Sequence, residues 1–335
     1  MSAAGHSTTA LDRAHGALLG LAIGDALGMP TQSLPREQIR ARCGRIDGFV
    51  AGPPDQPIAP GMRAGSITDD TEQALILAGL VVDGGGRVDE HAFADALISW
   101  EQDMISRGSL DLLGPSTRSA LAKLQAGEPV EETGRYGTTN GAAMRIAPVG
   151  IAHAPGPHLL EAVVQASRVT HNTGLGISGA AAIAAAVSAG VDGADIDQAL
   201  DAATSAAADG AVRGNWIAGG SIAQRFSVFR GPVRGMERED AEDFIYDVVG
   251  TSVQSQESVV AALLLIERGS ADPFDALCAA ASLGGDTDTV AAMAGAVLGA
   301  VHGTAAFPAE ALRIVQQVNE LDLEPIARRL LALRS

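Results

Sequence analysis

Apolar and polar positions along the chain recur with the period of a helix, and no segment shows the two-residue alternation of a half-buried strand. Helices are predicted at residues 11–29, 68–82, 88–107, 115–126, 158–170, 176–190, 195–208, 241–250, 255–267, 272–282, 287–302 and 308–334. The Pro- and Gly-rich residues 30–66 predict a loop with one short helix, and residues 210–240 are predicted to be irregular. The pattern predicts one all-α domain over residues 1–335, with residues 1–10 disordered.

The first predicted helix carries a glycine at every fourth position: Gly16, Gly20, Gly24 and Gly28. Residues spaced by four lie on one face of a helix. Each glycine lowers helix propensity by about 1 kcal/mol relative to alanine. A glycine face is therefore expected where another backbone approaches closely. A transmembrane glycine motif is disfavoured, because the run is short and contains Asp25.

The composition excludes several partners. The net charge of −17 repels phosphate backbones and anionic lipid surfaces, so neither nucleic acid nor a membrane is an expected partner, whereas divalent cations are attracted.

The two cysteines, Cys43 and Cys278, form no disulfide framework or CxxC motif, and no signal peptide is recognised. A cytoplasmic location is expected. The most apolar run, Ile177–Val191, is predicted to be a buried helix.

Two acid-rich turns each precede an apolar helix. The first acidic turn is residues 65–71 (GSITDDT), and the second acidic turn is residues 284–289 (GGDTDT). Helix capping is the simpler explanation of each turn, since Thr and Asp are favoured N-caps. The alternative is a site for hard cations, which prefer carboxylate, hydroxyl and water oxygens. Four carboxylates from the two turns could together neutralise two dications, provided that the turns meet in space.

Five segments occur in the order typical of one family: GALLGLAIGDALGMP, SITDDTEQALILA, YGTTNGAAMRIAPVG, THNTG and LGGDTDTVAAMAGAVLGA. They make the chain, from about Arg13 to about Gly303, resemble the ADP-ribosylglycohydrolase family. The resemblance implies a compact orthogonal bundle of helices with two Mg²⁺ ions, or Mn²⁺ in some members. It implies as metal ligands Thr68, Asp69, Asp70, Asp286, Asp288 and Thr289.

The resemblance also implies residues that bind substrate. The loop Gly137, Thr138, Thr139, Asn140 and Gly141 is similar to the family's cradle for the ribose and phosphates of ADP-ribose. On sequence alone, an ordinary turn before a helix explains this loop equally well. His171 resembles a histidine that contacts substrate in the family, although a lone histidine before a helix is more commonly a cap or a solvent-facing residue.

At two positions the chain departs from the family pattern. Gln32 stands where many members carry a glutamate that gates the site, and a glutamine cannot act as a base. Leu112 stands where a second family carboxylate is expected, with Asp111 one residue earlier. These departures favour a smaller ribosylated metabolite over ADP-ribosylated protein as the substrate.

The function expected from these residues is metal-dependent hydrolysis of an N- or O-ribosyl bond. Asp286 and Asp288 are candidates to orient the attacking water while they bind metal, and Asp111 is a candidate general base. Asp25 is expected to have a structural hydrogen-bonding role. One alternative is a hydrolase of a nucleoside-like or phosphoribosyl metabolite on the same scaffold. Another is a non-catalytic binding or structural protein, since a fold does not determine a function.

Overall fold

The computed structural model describes residues 9–334, and these residues form helices joined by loops, the longest of which covers residues 44–68. The α-helices are α1 (Ala10–Gly28), α2 (Arg36–Cys43), α3 (Asp69–Asp83), α4 (Glu90–Ser106), α5 (Pro115–Gln125), α6 (Val130–Thr133), α7 (Gly141–Met144), α8 (Ala147–Ala152), α9 (Pro157–His171), α10 (Gly174–Val191), α11 (Ile196–Gly210), α12 (Ile222–Arg234), α13 (Arg238–Phe244), α14 (Ser255–Arg268), α15 (Pro273–Leu283), α16 (Thr287–His302), α17 (Ala309–Val318) and α18 (Glu324–Leu331). A π-helical turn covers Ile245–Val249, and a 3₁₀ turn covers Thr304–Ala306. Within residues 9–334 the only strand-like pairings are three isolated bridges, so the all-α prediction is confirmed.

Helices α1 and α16 pack against each other through backbone contact along most of their length. A Cβ atom added to Gly20 would lie 2.1 Å from the carbonyl oxygen of Gly295, and one added to Gly24 would lie 2.1 Å from that of Ala291. Real Cβ atoms do not come this close to backbone, so only glycine permits the approach. The predicted glycine face is confirmed, and its partner is the helix that follows the second acidic turn.

Helix α10 is the apolar run predicted to be buried. By length and composition it is the one helix of the described chain that could cross a membrane, but 89% of its residues are buried inside the protein. It packs mainly against α11 and α8. Such burial is typical of the core helix of a folded domain. A GxGxxG string, formed by Gly174, Gly176 and Gly179, starts this helix, and no strand precedes it within residues 9–334.

Two predicted regions need correction, and a third lies mostly outside the described residues. Residues 210–240 are not irregular throughout. They contain the 13-residue helix α12, whose N-cap is Ser221. The predicted helix 308–334 is two helices, since Glu320 adopts a left-handed φ of 54° between α17 and α18. The predicted disorder of residues 1–10 falls mainly on residues 1–8, which lie outside the described residues. Thr9, however, caps α1, and its side chain accepts a hydrogen bond from the Asp12 N–H.

Asn319, in the break between α17 and α18, holds the first acidic turn by hydrogen bonds. The side-chain oxygen of Asn319 accepts a 3.1 Å hydrogen bond from the N–H of Ile67. The side-chain amide of Asn319 donates 2.8 Å bonds to the carbonyls of Gly65 and Val315. Residues late in the chain thus fix the backbone that leads into α3.

Candidate active site

The two acidic turns meet in the interior of the protein, as the metal-site hypothesis requires. Helix α3 begins at Asp69 and helix α16 begins at Thr287. The hydroxyl of Thr289 donates a 3.2 Å hydrogen bond across the junction to Asp70 Oδ2. Asp70 is 1% exposed and Asp288 is 2% exposed. Carboxylates from the starts of two distant helices are thereby brought into one buried cluster.

The first acidic turn is attached to α1 by hydrogen bonds. The buried Asp25 carboxylate accepts bonds from the Thr68 hydroxyl at 2.7 Å, the Thr68 N–H at 3.0 Å and the Thr71 hydroxyl at 2.5 Å. Burial raises the pKa of Asp25 to about 6, although these hydrogen bonds oppose the rise. Asp25 therefore has the hydrogen-bonding role expected for it.

The second acidic turn is attached to the same helix by direct backbone contact. A Cβ atom on Gly28 would lie 2.3 Å from the backbone nitrogen of Asp288. The hydroxyl of Thr287 donates a 3.0 Å bond to the Gly28 carbonyl. Gly284 and Gly285 have φ values of 93° and 80°, which glycine adopts most readily, and they turn the chain into α16. The turn is thus set by close packing.

Repulsion among the buried carboxylates of this cluster would be reduced by a bound cation. Burial and the neighbouring carboxylates raise the pKa values of Asp69, Asp70 and Asp288 well above the ordinary value, and burial raises that of Asp286. Asp70 Oδ1 and Asp288 Oδ1 are buried and have no hydrogen-bond partner among the described residues. Unpartnered carboxylate oxygens of this kind suit a hard dication.

Carboxylates alone do not complete a metal site. Across residues 9–334, no three His, Cys, Asp or Glu side chains converge so as to hold a metal ion. A cation here would therefore need hydroxyl or water oxygens as well, and Thr68 and Thr289 stand beside the carboxylates. This mixed donor set fits Mg²⁺ or Mn²⁺ better than a softer ion.

A cavity of about 280 Å³ opens onto the cluster. Its walls include these predicted site residues: Gln32, Asp69, Asp111, Thr139, Asn140, Gly141, Asp286, Asp288 and Thr289. Thr68 and Asp70 are almost fully buried and do not line the cavity. The structure therefore gathers most of the predicted residues around one space.

The predicted substrate loop reaches the cavity only with its second half. The amide of Asn140 donates a 2.5 Å bond to Asp286 Oδ2, which ties the loop to the second acidic turn. Gly137 instead packs on the backbone of Thr170, where a Cβ atom would lie 2.2 Å from the carbonyl oxygen. The Thr138 hydroxyl bonds to Gln254. Gly137 and Thr138 thus support the loop and do not line the cavity.

His171 lies behind the cavity wall. Its side chain is fully buried, with Nε2 2.8 Å from the hydroxyl of Thr139 and Nδ1 2.8 Å from that of Thr170. Burial, followed by the nearby Arg145 cation, holds its pKa well below the ordinary value. His171 contacts the loop that faces the cavity, and a contact between His171 and substrate stays a prediction.

The candidate base and the altered gate position both face the cavity. Asp111, in the loop between α4 and α5, accepts a 3.0 Å hydrogen bond from the N–H of Asp69. Burial and, next, repulsion by Asp25 raise the pKa of Asp111 to about 7. The side-chain amide nitrogen of Gln32 is buried without a partner among the described residues. Leu112 contributes an apolar surface where the family pattern expects a carboxylate.

Sequence reasoning missed Gln73 and Arg145. Both are buried. Gln73 donates a hydrogen bond to Asp69, and Arg145 donates one to Gln73. A signal was present, because Arg145 is the one charged residue of an otherwise apolar run at 141–152. A charge in such a run is rarely buried without a polar partner.

The chain is similar in sequence and fold to known proteins. The ADP-ribosylglycohydrolase family model matches residues 6–335. An uncharacterized protein of Escherichia coli (strain K12), YegU, is 34% identical over 322 residues, which cover 95% of this chain and 96% of that protein. ADP-ribosylarginine hydrolase Tri1 of Pseudomonas putida (strain GB-1) is 32% identical over 310 residues, covering 90% and 73%. A solved structure, named ADP-ribosylglycohydrolase-related protein complex, has a TM-score of 0.71 at 28% identity and covers 98% of this chain and 99% of its own.

Proposed function

The chain belongs to the ADP-ribosylglycohydrolase family, and on this premise we propose that it hydrolyses an N- or O-glycosidic bond of an ADP-ribosyl group with the help of two Mg²⁺ ions, or Mn²⁺. The proposal depends chiefly on one observation. Two acidic turns, 219 residues apart where Asp70 meets Thr289, converge and leave buried carboxylate oxygens without partners among residues 9–334. The relative named ADP-ribosylarginine hydrolase supports the same class of substrate.

The residues that would hold the ions are Thr68, Asp69, Asp70, Asp286, Asp288 and Thr289. When bound, the ions would supply positive charge for ribose hydroxyls and would lower the pKa of a water molecule. The protein supplies the geometry. Asn140 fixes Asp286, and Thr289 fixes Asp70, so two of the carboxylates cannot rotate freely. Asp286 and Asp288 line the cavity, where either could orient a water molecule.

Asp111 is the proposed general base. A carboxyl group whose pKa lies near 7 is available in its charged form at neutral pH and can both accept and return a proton. Asp111 lines the cavity, and its bond to the Asp69 N–H fixes one carboxylate oxygen. The other oxygen is left for the reacting water or leaving group.

The cavity offers room for a leaving group. It shares Ile58 and Leu110 with a larger surface groove of about 540 Å³, which also contains Arg63 and Arg107. A leaving group that departs from the ribose could extend into this groove. The uncharged Gln32 and the apolar Leu112 specifically favour a second candidate: a nucleoside-like or phosphoribosyl metabolite with an uncharged leaving group.

The decisive experiment measures turnover of ADP-ribosylarginine, O-acetyl-ADP-ribose and a panel of nucleosides, with Mg²⁺ and with a chelator. We expect turnover only with metal, and we expect Asp70→Ala and Asp288→Ala to lower it more than about a hundredfold. Asp209→Ala, on an exposed part of α11, is the matched control and should keep normal turnover. Full activity of either cluster variant in chelator would refute the metal mechanism. Cleavage of nucleosides alone would select the second candidate.

We also propose a cytoplasmic location. Both cysteines are free, and Cys278 is buried, which suits a reducing compartment. Fractionation of cells that produce the protein tests this location, and recovery of the protein outside the cytoplasm would refute it.

A further inference from the structure

Arg145 is a fully buried cation in a protein whose active-site cavity is lined by carboxylates. It forms no ion pair with a carboxylate of residues 9–334. Its guanidinium lies 4.9 Å from the ring centroid of Phe93, a favourable cation–π contact. Burial lowers the pKa of Arg145 to about 10, so it stays charged at neutral pH. A buried charge of this kind needs a strong hydrogen-bonding arrangement around it.

One side of Arg145 leads to the first acidic turn. Its Nη1 donates a 3.0 Å bond to the side-chain oxygen of Gln73. The amide nitrogen of Gln73 then donates a 2.8 Å bond to Asp69 Oδ2. Gln73 is one helical turn after Asp69 in α3, which allows the two side chains to meet. The cation therefore reaches the carboxylate through one intervening amide.

The other side leads to the cavity loop. Arg145 Nη2 donates a 2.5 Å bond to the hydroxyl oxygen of Thr170, which lies 2.8 Å from His171 Nδ1. Nε2 of the same imidazole lies 2.8 Å from the hydroxyl of Thr139. Asp69 and Thr139, both on the cavity wall, are thus the two ends of one hydrogen-bonded chain.

The charge of Arg145 determines which groups donate and which accept in the hydrogen bonds between Thr170 and Thr139. A guanidinium can only donate, so the Thr170 oxygen accepts from Arg145, and the buried Thr170 proton has no acceptor among the described residues other than Nδ1. The neutral imidazole then carries its own proton on Nε2 and donates to the oxygen of Thr139. The Thr139 hydroxyl proton has no acceptor among the described residues and is left for an oxygen in the cavity.

We propose that Arg145 is a positioning residue that orders both halves of the site through this chain, and that it makes Thr139 a hydrogen-bond donor to a phosphate or hydroxyl oxygen of the ligand. The proposal rests on the proposed function for the identity of the ligand and the metal. The internal chain and its direction do not depend on either. Ordering of Asp69 should therefore respond to a change at Thr170, which touches neither the cavity nor the acidic turns.

The test uses three isosteric or conservative variants of the full chain. Thr170→Val removes the hydroxyl in the middle of the chain, and Thr170→Ser keeps it. Thr133→Val is the matched control: its buried hydroxyl bonds to the carbonyls of Val130 and Val169, beside Thr170 but outside the chain. Calorimetric titration with Mn²⁺ alone, without nucleotide, should show about fivefold weaker binding for Thr170→Val. The other two variants should bind Mn²⁺ like the wild type.

A second readout reports the direction of the chain without metal. Nitrogen-15 NMR of the metal-free wild type at neutral pH should show His171 as a neutral ring protonated on Nε2, assigned by comparison with His171→Gln. A ring protonated on Nδ1 overturns the proposal, as does unchanged Mn²⁺ affinity in Thr170→Val or an equal loss in Thr133→Val. If Thr170→Val does not fold, the wild-type ring state decides. A wild type that binds no Mn²⁺ refutes the proposed metal function, and the ring state then tests the chain alone.

Discussion

The two acidic turns hold similar residues but are fixed in different ways. The first acidic turn is attached to α1 by hydrogen bonds from Thr68 and Thr71 to the buried Asp25 carboxylate. The second acidic turn is fixed to the same helix by contact between Gly28 and the backbone of Asp288. Asp25 and Gly28 are three residues apart, so one turn of α1 determines the distance between the two halves of the site.

The two kinds of attachment should respond differently when a side chain is changed. Hydrogen bonds lengthen gradually, whereas overlap between backbone atoms cannot be accommodated without moving a helix. The second acidic turn should therefore be more sensitive to added volume, and the first should be more sensitive to a change of charge. Three measurements test this difference between the two acidic turns.

Gly28→Ala should have the largest effect. The new methyl group would lie 2.3 Å from the Asp288 nitrogen, so the start of α16 must move. We expect a loss of about 3 kcal/mol in the free energy of unfolding, together with weaker Mg²⁺ binding. Urea denaturation and calorimetry measure the two effects.

Gly79→Ala is the control for that substitution. Gly79 lies inside α3, and an added Cβ would meet nothing within 4 Å. The same change should therefore stabilise the protein, by about 0.5–1 kcal/mol, because alanine favours the helix. If Gly28→Ala were as well tolerated as Gly79→Ala, backbone contact would not be what fixes the second acidic turn.

Asp25→Asn should have an intermediate effect. The groups around Asp25 are N–H and O–H donors, and an amide NH₂ would face them with further donors. We expect a loss of about 2 kcal/mol by urea denaturation. Asp12→Asn, on the same helix but half-buried and bonded to Thr304, should cost less than about 1 kcal/mol. Equal losses for the two variants would contradict a special role for Asp25.

Stabilisation by Mg²⁺ should depend on pH and gives the smallest signal. Burial raises the pKa values of Asp25 and Asp111 to about 6 and about 7, so the folded, metal-free protein binds more protons than the unfolded chain between pH 4 and 7. Stability without metal therefore falls as pH rises through this range. Mg²⁺ favours the ionised carboxylates, so its benefit grows with pH.

The measurement is the Tm with saturating Mg²⁺ minus the Tm in chelator. We expect about 2 °C at pH 8 and almost no difference at pH 5. Asp70→Ala should show no difference at either pH. A gain in Tm that is the same at pH 5 and pH 8 would indicate that protons and Mg²⁺ do not compete for these carboxylates.

Much of the site could be predicted because its signals are local. The repeat of glycines in α1 shows which face needs a close neighbour, and the composition of the acidic turns shows which oxygen donors are available. The helical pattern also located most helices to within a few residues. Each of these properties is determined within a few consecutive residues.

The parts that could not be predicted depend on tertiary contacts. The pattern cannot show that His171 faces the back of the loop, because its position is set by packing against Thr170 and Gly137. It also cannot show that Glu320 reverses the sign of φ and divides the final predicted helix. Arg145 was visible as a charge in an apolar run, but its partners come from α3 and α9.

The hydrogen bonds of Asn319 determine when the first acidic turn can take its native form during synthesis. Its amide bonds to the carbonyl of Gly65, which precedes it by 254 residues. A ribosome makes the chain from its amino end, so the first acidic turn cannot acquire this restraint until nearly all of the described chain has been synthesised. Before Asn319 is made, the first acidic turn would therefore be loosely held, and its native arrangement would arise only after that residue has been synthesised.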